Sequence, residues 1–453
     1  MKVCIINGSP KGKYSVTLQT VLYIASKFPD CEWTQIDAGQ KIKFYEKDFS
    51  EAKKAIEAAD FLLFSYPVYT FLAPWQLHRF IELLKEQGMD LSEKYATQIS
   101  TSKHFFDVTA HHYIEQNCQD LMLKYIKGMS ADMEDLLKEE GRKAAEDFWS
   151  FVCESVEHDI FEREEKEDAP QKNIQQQNAY QPSLKNTAKK SGKRVVLVTN
   201  AEKEDSSLHA MIKDFCAILP FQAEIINIGE YPFLGGCLGC LRCAPDGTCI
   251  YQDGFGDFLR SQIQTADAIV YAFTIKDHSM GASFKLYDDR QFCNGHRTMT
   301  MGMPVGYLVN GNYKKEENLR MVIEARAEVG HNYFAGVGTD QESIQKMSWK
   351  LCYALEHKYV PPQNFYGIGG MKIFRDLIYV MRGMMKADHK FYKKQGFYKD
   401  LPNKKKGQML FMMLVGAMMS NPKLSSKMGN KMNEGMIAPY KKFIKSEGGH
   451  LNE

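Results

Sequence analysis

Apolar positions along the chain follow two alternating patterns. Short unbroken runs, Lys2 to Asn7 and Phe61 to Ser65, predict strands, with Trp33 to Ile36 as another. Between them, Leu18, Val21, Leu22, Ala25 and Phe28, and then Phe49, Ala52, Ile56 and Ala59, fall on helical stripes. Unbroken apolar strands separated by helices predict a parallel sheet covered on both faces. The pattern stops in 162–193, rich in Glu, Lys and Gln with Pro170 and Pro182, which predicts a polar linker. It then restarts with a strand at Arg194 to Thr199, a stripe of Leu208, Met211, Phe215 and Ile218, and a strand at Ala223 to Ile228. A helix through Phe255, Phe258, Leu259 and Ile263 leads to a strand at Ala268 to Phe273. Local phrases also repeat: Ala58-Ala59-Asp60 precedes one apolar strand as Thr265-Ala266-Asp267 precedes the other. The expected fold class is α/β, a tandem duplication of one doubly wound parallel sheet over 1–161 and 194–360, followed by a helical region over 361–453.

Composition refines this picture at the C-terminal end. The 453 residues are 44% hydrophobic and 25% charged, which excludes collagen-like, wholly disordered and disulfide-dense classes. The net charge of +2 conceals an asymmetry: residues 371–453 carry 17 Lys/Arg against 6 Asp/Glu and hold 12 of the 24 methionines. In that region Phe374, Leu377, Ile378, Met381 and Met384 make an amphipathic stripe. Lys404-Lys405-Lys406 precedes a run, Met409 to Val415, that is apolar all round and must be buried or enter lipid. A helical subdomain packed on the second unit or at a homo-oligomer interface, a peripheral membrane contact, a Met-lined substrate pocket and an acidic electron-transfer partner are the readings open for it. Nucleic acid is not expected, because no base-reading motif accompanies the lysines.

Seven residues lead straight to Gly8, too few for the apolar region of a signal peptide, and the longest apolar run in the tail is 11 residues. A cytoplasmic location is therefore expected, where thiols stay reduced. Seven of the eleven cysteines are scattered and read as small core residues. The other four, Cys237, Cys240, Cys243 and Cys249, lie within 13 residues among four glycines. Their C-x2-C-x2-C-x5-C spacing is the crowded arrangement of iron–sulfur ligation, a 4Fe–4S cluster first, with zinc and redox-active thiols as alternatives.

The first strand ends in Gly8-Ser9-Pro10-Lys11, with Ser15 and Thr17 feeding the next helix. Hydroxyls, a lysine and unpaired N–H groups at a helix N-terminus suit an anion. Tyr66-Pro67-Val68-Tyr69-Thr70 follows the third strand as a flat apolar wall, and Ser100-Thr101-Ser102 follows the fourth as a donor-rich turn. All three loops should meet at one crevice beyond the carboxyl ends of the strands. His104, His111 and His112 near that crevice read as surface or capping residues ahead of proton donors.

These phrases resemble the flavodoxin-like NAD(P)H-dependent FMN reductases, over roughly the first 150 residues and more loosely over 194–360. The resemblance implies FMN, with its phosphate on Ser9, Lys11, Ser15 and Thr17 and its ring flanked by Pro67, Val68, Tyr69, Thr70, Ser100, Thr101 and Ser102. The position of the Cys motif resembles the iron–sulfur flavoproteins of that family, and Lys285 and Asp289-Arg290 fit its pattern. The second unit departs from it: Thr199-Asn200-Ala201-Glu202-Lys203-Glu204-Asp205 lacks the Gly-Ser-Pro turn and adds acidic residues that repel phosphate. The implied protein passes electrons between NAD(P)H or a ferredoxin-type donor, FMN in unit one, a cluster in unit two and a small organic acceptor. An electron carrier or redox sensor, or a hydride-only quinone, nitro or enone reductase with a structural metal site, are the alternatives.

Overall fold

The computed structural model describes residues 1–162, 180, 182, 184–401 and 406–419. They divide into two compact units, Met1–Lys390 and Phe391–Glu453. The first contains two parallel sheets. One is built from β1 (Lys2–Asn7), β2 (Glu32–Ile36), β3 (Phe61–Pro67), β4 (Tyr95–Ser102) and β5 (Lys124–Tyr125), in the order 2-1-3-4-5, with β6 (Met129–Asp132) also pairing with β4. The other is built from β7 (Lys190–Thr199), β8 (Phe221–Asn227), β9 (Ala268–Thr274), β10 (Pro304–Asn310) and β11 (Tyr333–Gly338), in the order 8-7-9-10-11. The two orders are the same, and both are flavodoxin-like doubly wound sheets.

Strand side chains go alternately to two covered faces, which is why the strands are apolar without alternation. In the first sheet Val3, Ile5, Phe61 and Leu63 pack outward with Leu18, Val21 and Trp149, from α1 (Val16–Lys27) and, further on, the helix Glu139–Glu157. Cys4, Ile6, Leu62 and Phe64 enter a core shared with Val196, Val198, Ile269 and Phe273 of the second sheet. The outer face of the second sheet has its own core, including Leu197, Val270, Leu308, Phe215 and Leu351.

The registers measure where the units diverged. Val3 pairs with Phe61 and Val195 with Ala268, so the second unit has 15 more residues between its first and third strands. That excess is close in size to the 13-residue Cys segment. Beyond the third strands the units stay in step. The turn Tyr69–Leu72 has positive φ at Thr70 (45°) and Phe71 (71°), and Lys276–Ser279 repeats it at Asp277 (51°) and His278 (60°). Each turn leads into a helix, Trp75–Glu86 or Gly281–Arg290, and these two helices pack on each other. Glu82 accepts from the Ala282 N–H at 2.8 Å, and Asp289 accepts from the Trp75 N–H at 2.8 Å, so each helix caps the N-terminus of the other.

Several sequence boundaries move. β7 begins at Lys190, inside the expected linker; 163–179 and 181 and 183 of that linker lie outside the described residues. Ser100, Thr101 and Ser102 are not a turn: they pair with Ser130, Ala131 and Asp132 and so continue β4. The stripe through Phe374, Leu377 and Ile378 lies on the helix Phe365–Val380, which packs against Glu317–Val329. The Met-rich run lies on Lys406–Met419, where Leu410, Phe411 and Leu414 are each at least 60% exposed. Among the described residues no helix is long and apolar enough to cross a membrane.

Candidate functional site

The loop after β1 is held from within. Asn7 accepts from the Ser9 N–H at 3.3 Å and donates to Asp37 at 3.1 Å, while the Ser9 hydroxyl accepts from the Lys11 N–H at 3.3 Å. A short 3-10 turn, Gly12–Tyr14, then delivers Ser15 as the cap of α1, its hydroxyl accepting from the Leu18 N–H at 3.3 Å. Ser9, Ser15 and Thr17 are buried at this neutral helix start.

Beside it is a cavity of about 400 Å³. Ser9, Lys11, Ser15, Thr17, Pro67, Val68, Tyr69, Thr70, Thr101 and Ser102 all line it, so ten of the eleven residues expected around a flavin share one wall. Ser100 does not: its hydroxyl turns to His111 Nε2 at 2.8 Å and toward Ser130 at 3.5 Å. The cavity lining is also without His104, His111 and His112; burial takes His111 down to about 4, and His104 and His112 pair with Asp107 and Glu115.

Most of the rest of the lining comes from the second half of the chain, largely from residues not singled out in sequence. Phe292, His296 and Arg297 follow the helix Gly281–Arg290; Asp288 and Arg326 form an ion pair; and Ile373, Phe374 and Leu377 come from Phe365–Val380. Phe374 stacks on Phe105 at 4.0 Å and meets His296 edge-on at 4.5 Å. The C-terminal basic region thus contributes to the cavity, with Phe374 and Leu377 of its amphipathic stripe and Ile373 in the lining and none of its described methionines.

Two observations test whether FMN fits this cavity. The Thr101 hydroxyl is buried in the lining without a hydrogen-bond partner, and the α1 N-terminus is capped by a neutral hydroxyl, compatible with an added anion. Both suit a polar, anionic ligand.

In the second unit the equivalent cap is Asp205, whose carboxylate accepts from the Leu208 N–H at 3.1 Å. It also accepts from Thr274, at the end of β9, and from Asn310 Nδ2 at 3.3 Å, at the end of β10. The anion position of this unit is therefore filled by its own side chain.

The Cys segment lies directly behind the flavin-side loops. A Cβ on Gly239 would be 1.8 Å from the Tyr69 hydroxyl and 3.1 Å from Lys11 Cε, and one on Gly236 would overlap the Trp75 indole. Gly239 has φ of 60°, so glycine is needed here for both conformation and space. Gln76 donates to the Cys237 carbonyl at 3.2 Å, and Cys243 Sγ donates to the Phe292 carbonyl at 3.1 Å. Among the described residues no three His, Cys, Asp or Glu side chains stand close enough to hold an ion. The donor set still suits a cluster. The Gly239 N–H donates to Cys237 Sγ at 3.4 Å, and the indole N–H of Trp75 is buried beside Gly236 without a partner. Burial first, then Asp289 and the neighbouring cysteines, pushes Cys237 far up, and burial with neighbouring cysteines pushes Cys243 up to about 11.

Under both loops lies a buried pair. Lys285 is fully buried, donates to the Tyr69 carbonyl at 2.9 Å and pairs with Asp289, which also accepts from the Thr70 hydroxyl at 2.8 Å. Burial takes the Lys285 ammonium down to about 8 and the Asp289 carboxyl up, against their mutual attraction. Arg290 makes a bidentate pair with Asp253 at 2.7 Å and donates to the Gly235 carbonyl, holding the start of the Cys segment.

A family model described as a flavodoxin-like fold matches residues 1–130. An iron–sulfur flavoprotein of Archaeoglobus fulgidus is 27% identical over 190 residues, 39% of this chain and 86% of that protein. Another, of Clostridioides difficile, is 24% identical over 138 residues, 28% of this chain and 61% of that protein. Among solved structures, an apo NADH:FMN oxidoreductase is 16% identical with a TM-score of 0.30, covering 34% of this chain and 89% of that one.

Proposed function

We propose that this chain is an FMN-dependent oxidoreductase with one flavin site and one 4Fe–4S site, exchanging electrons between NAD(P)H or a ferredoxin-type donor and a small organic acceptor. The observation that carries the reading is the shared wall: ten residues of the flavin pattern line one cavity, and the Cys segment packs against two of them, Tyr69 and Lys11. Its similarity to two iron–sulfur flavoproteins supports both cofactors. When bound, FMN supplies conversion between hydride and single-electron chemistry, and the cluster supplies single-electron storage.

The chain's own residues bind and orient. Ser9, Ser15, Thr17 and Lys11 would hold the phosphate at the start of α1, and Pro67 to Thr70 would form the ring wall. Ser102 and the unpartnered Thr101 hydroxyl would meet the polar edge. Cys237, Cys240, Cys243 and Cys249 would hold the cluster, with the Gly239 N–H directed at one sulfur. Asp205 leaves the second unit without a phosphate site, so one chain combines what two copies of a simpler protein would each carry.

Anaerobic quantitation tests this: about one FMN and four irons per chain are expected. Two FMN per chain overturns the division between units, as does a Ser9→Ala, Ser15→Ala, Thr17→Ala variant that keeps all its flavin. A Cys243→Ser variant should lose iron and keep flavin. The exposed apolar surface of Lys406–Met419 favours a second reading, an electron carrier that docks a partner there. Steady NAD(P)H oxidation with small acceptors supports the enzyme; reduction only by a protein donor supports the carrier.

A further inference from the structure

The C-terminal region sends one carboxylate into the cavity wall. Asp388, in the helix Lys386–Lys394, is 1% exposed. Its Oδ2 accepts from the His296 backbone N–H at 3.2 Å and lies 3.3 Å from His296 Nδ1, while Oδ1 is 3.6 Å from Arg297 Nη1. Gly295 makes room for it: a Cβ there would lie 2.3 Å from Oδ1, and its φ is 60°. The preceding residue, Ala387, donates its N–H to the Ala244 carbonyl at 3.3 Å, so the same turn is tied to the Cys segment.

Burying a carboxylate is costly, and one that only joined two segments could be replaced by a neutral amide. A carboxylate at Nδ1 does more. It fixes that nitrogen as the protonated one and orients the ring. The ring it orients lines the cavity, between Phe292 and Phe374.

We propose that His296 is the residue of this cavity that carries a proton to an acceptor oxygen, with Asp388 as its positioning residue. The proposal rests on the redox reading of the cavity. Over the whole reduction of a carbonyl-type acceptor, a C–H bond of a dihydronicotinamide breaks with its electron pair, leaving the oxidised nicotinamide; that hydride forms the new C–H bond of the acceptor and the C=O π pair moves to oxygen. The His296 Nε2–H bond then breaks as the O–H bond forms, leaving a neutral imidazole that takes its proton back from water.

The test uses the full chain with its oxidised cofactors and 4-nitrophenol as probe, at a pH where the free probe is mainly neutral. Difference spectra should show wild-type protein binding the probe as phenolate, because His296 donates its Nε2–H to the probe oxygen. His296→Gln should weaken phenolate binding at least about tenfold and leave the bound probe with the spectrum of the neutral phenol. Asp388→Asn, which keeps the shape of the contact, should move the spectrum in the same direction. Phenolate bound by His296→Gln as tightly as by wild type, or no binding to wild type, overturns the proposal. Flavin content of the same samples separates the two readings: wild-type protein that purifies without flavin and cannot be loaded with FMN undermines the redox site itself, whereas full flavin with an unchanged probe spectrum in His296→Gln undermines only the role of His296.

Discussion

The two sheets share strand order, register and even the strained turn after the third strand, yet they differ at the start of their first helices. There unit one presents the Ser15 hydroxyl and unit two the Asp205 carboxylate, each accepting from the N–H three residues on. A helix N-terminus attracts negative charge, and that charge can come from a ligand or from the chain. Unit two supplies its own, pinned by Thr274 and Asn310, and unit one presents only a neutral hydroxyl there; a cavity adjoins each helix start. In a duplicated fold, the same helix start can thus carry a neutral cap in one copy and a charged cap in the other. What it gained is the longer connection between β7 and β9, which carries the cysteines.

The sharpest way to break this comparison is to exchange the caps. Ser15→Asp should keep the helix capped and reduce FMN affinity by about a hundredfold or more, since a second anion would sit where the phosphate is proposed to bind. Flavin fluorescence titration of the apoprotein reads this directly. Undiminished affinity would mean that the cap does not decide which unit holds flavin. Next in size is the buried pair at the junction. Asp289→Asn and Lys285→Met should each cost roughly 3–5 kcal/mol in urea unfolding, because each leaves a buried charge without its close partner, Lys285 keeping only Asp288 at 3.7 Å. The double variant should cost less than either single one.

The strand–helix repeat and the loops after β1 and β3 were legible because they depend on local patterns: unbroken apolar runs, a Gly-Ser-Pro turn, a Pro at the end of a strand. The extent of β4 was not, because Ser100, Thr101 and Ser102 have turn-like composition and are kept extended only by pairing with β6. Asp205 was legible as acidic but not as a ligand surrogate, since that role needs the ends of β9 and β10 beside it. Asp388 and Arg326 were not legible as residues of the cavity or its wall, and Phe374 was legible only as part of an amphipathic stripe. They lie far from the motif in sequence, and tertiary packing alone brings them there.

The equivalent turn residues Phe71 and His278 offer a smaller contrast. Phe71 is buried against Phe105 and Phe106, an anchor indifferent to pH. His278 instead bridges Asp120 of the first half at 3.1 Å and Glu316 of the second at 3.0 Å. Burial alone would lower its pKa, but the two carboxylates raise it to about 9. The folded value lies above the unfolded one, so its contribution is fully present below the ordinary histidine range and is lost as pH rises through about 9. That loss should amount to at most about 3 kcal/mol. Urea midpoints across that window should fall for wild type and stay flatter for His278→Asn.

The smallest effect concerns the other half of the reciprocal helix caps. Glu82 and Asp289 occupy equivalent positions and each cap the facing helix, but their surroundings differ. Asp289 is fully buried with Lys285 as its close cation, whereas Glu82 has Arg79 at 2.9 Å and Lys276 at 3.3 Å near solvent. In Glu82→Gln the amide oxygen can still accept from the Ala282 N–H, and Arg79 keeps Glu46 at 3.3 Å and Glu86 at 3.0 Å. The expected cost is about 1 kcal/mol, well under that of Asp289→Asn, with an unchanged dependence on urea. Equal costs at the two positions would show that the helix caps themselves, rather than the buried lysine under the flavin-side turn, set the strength of this junction.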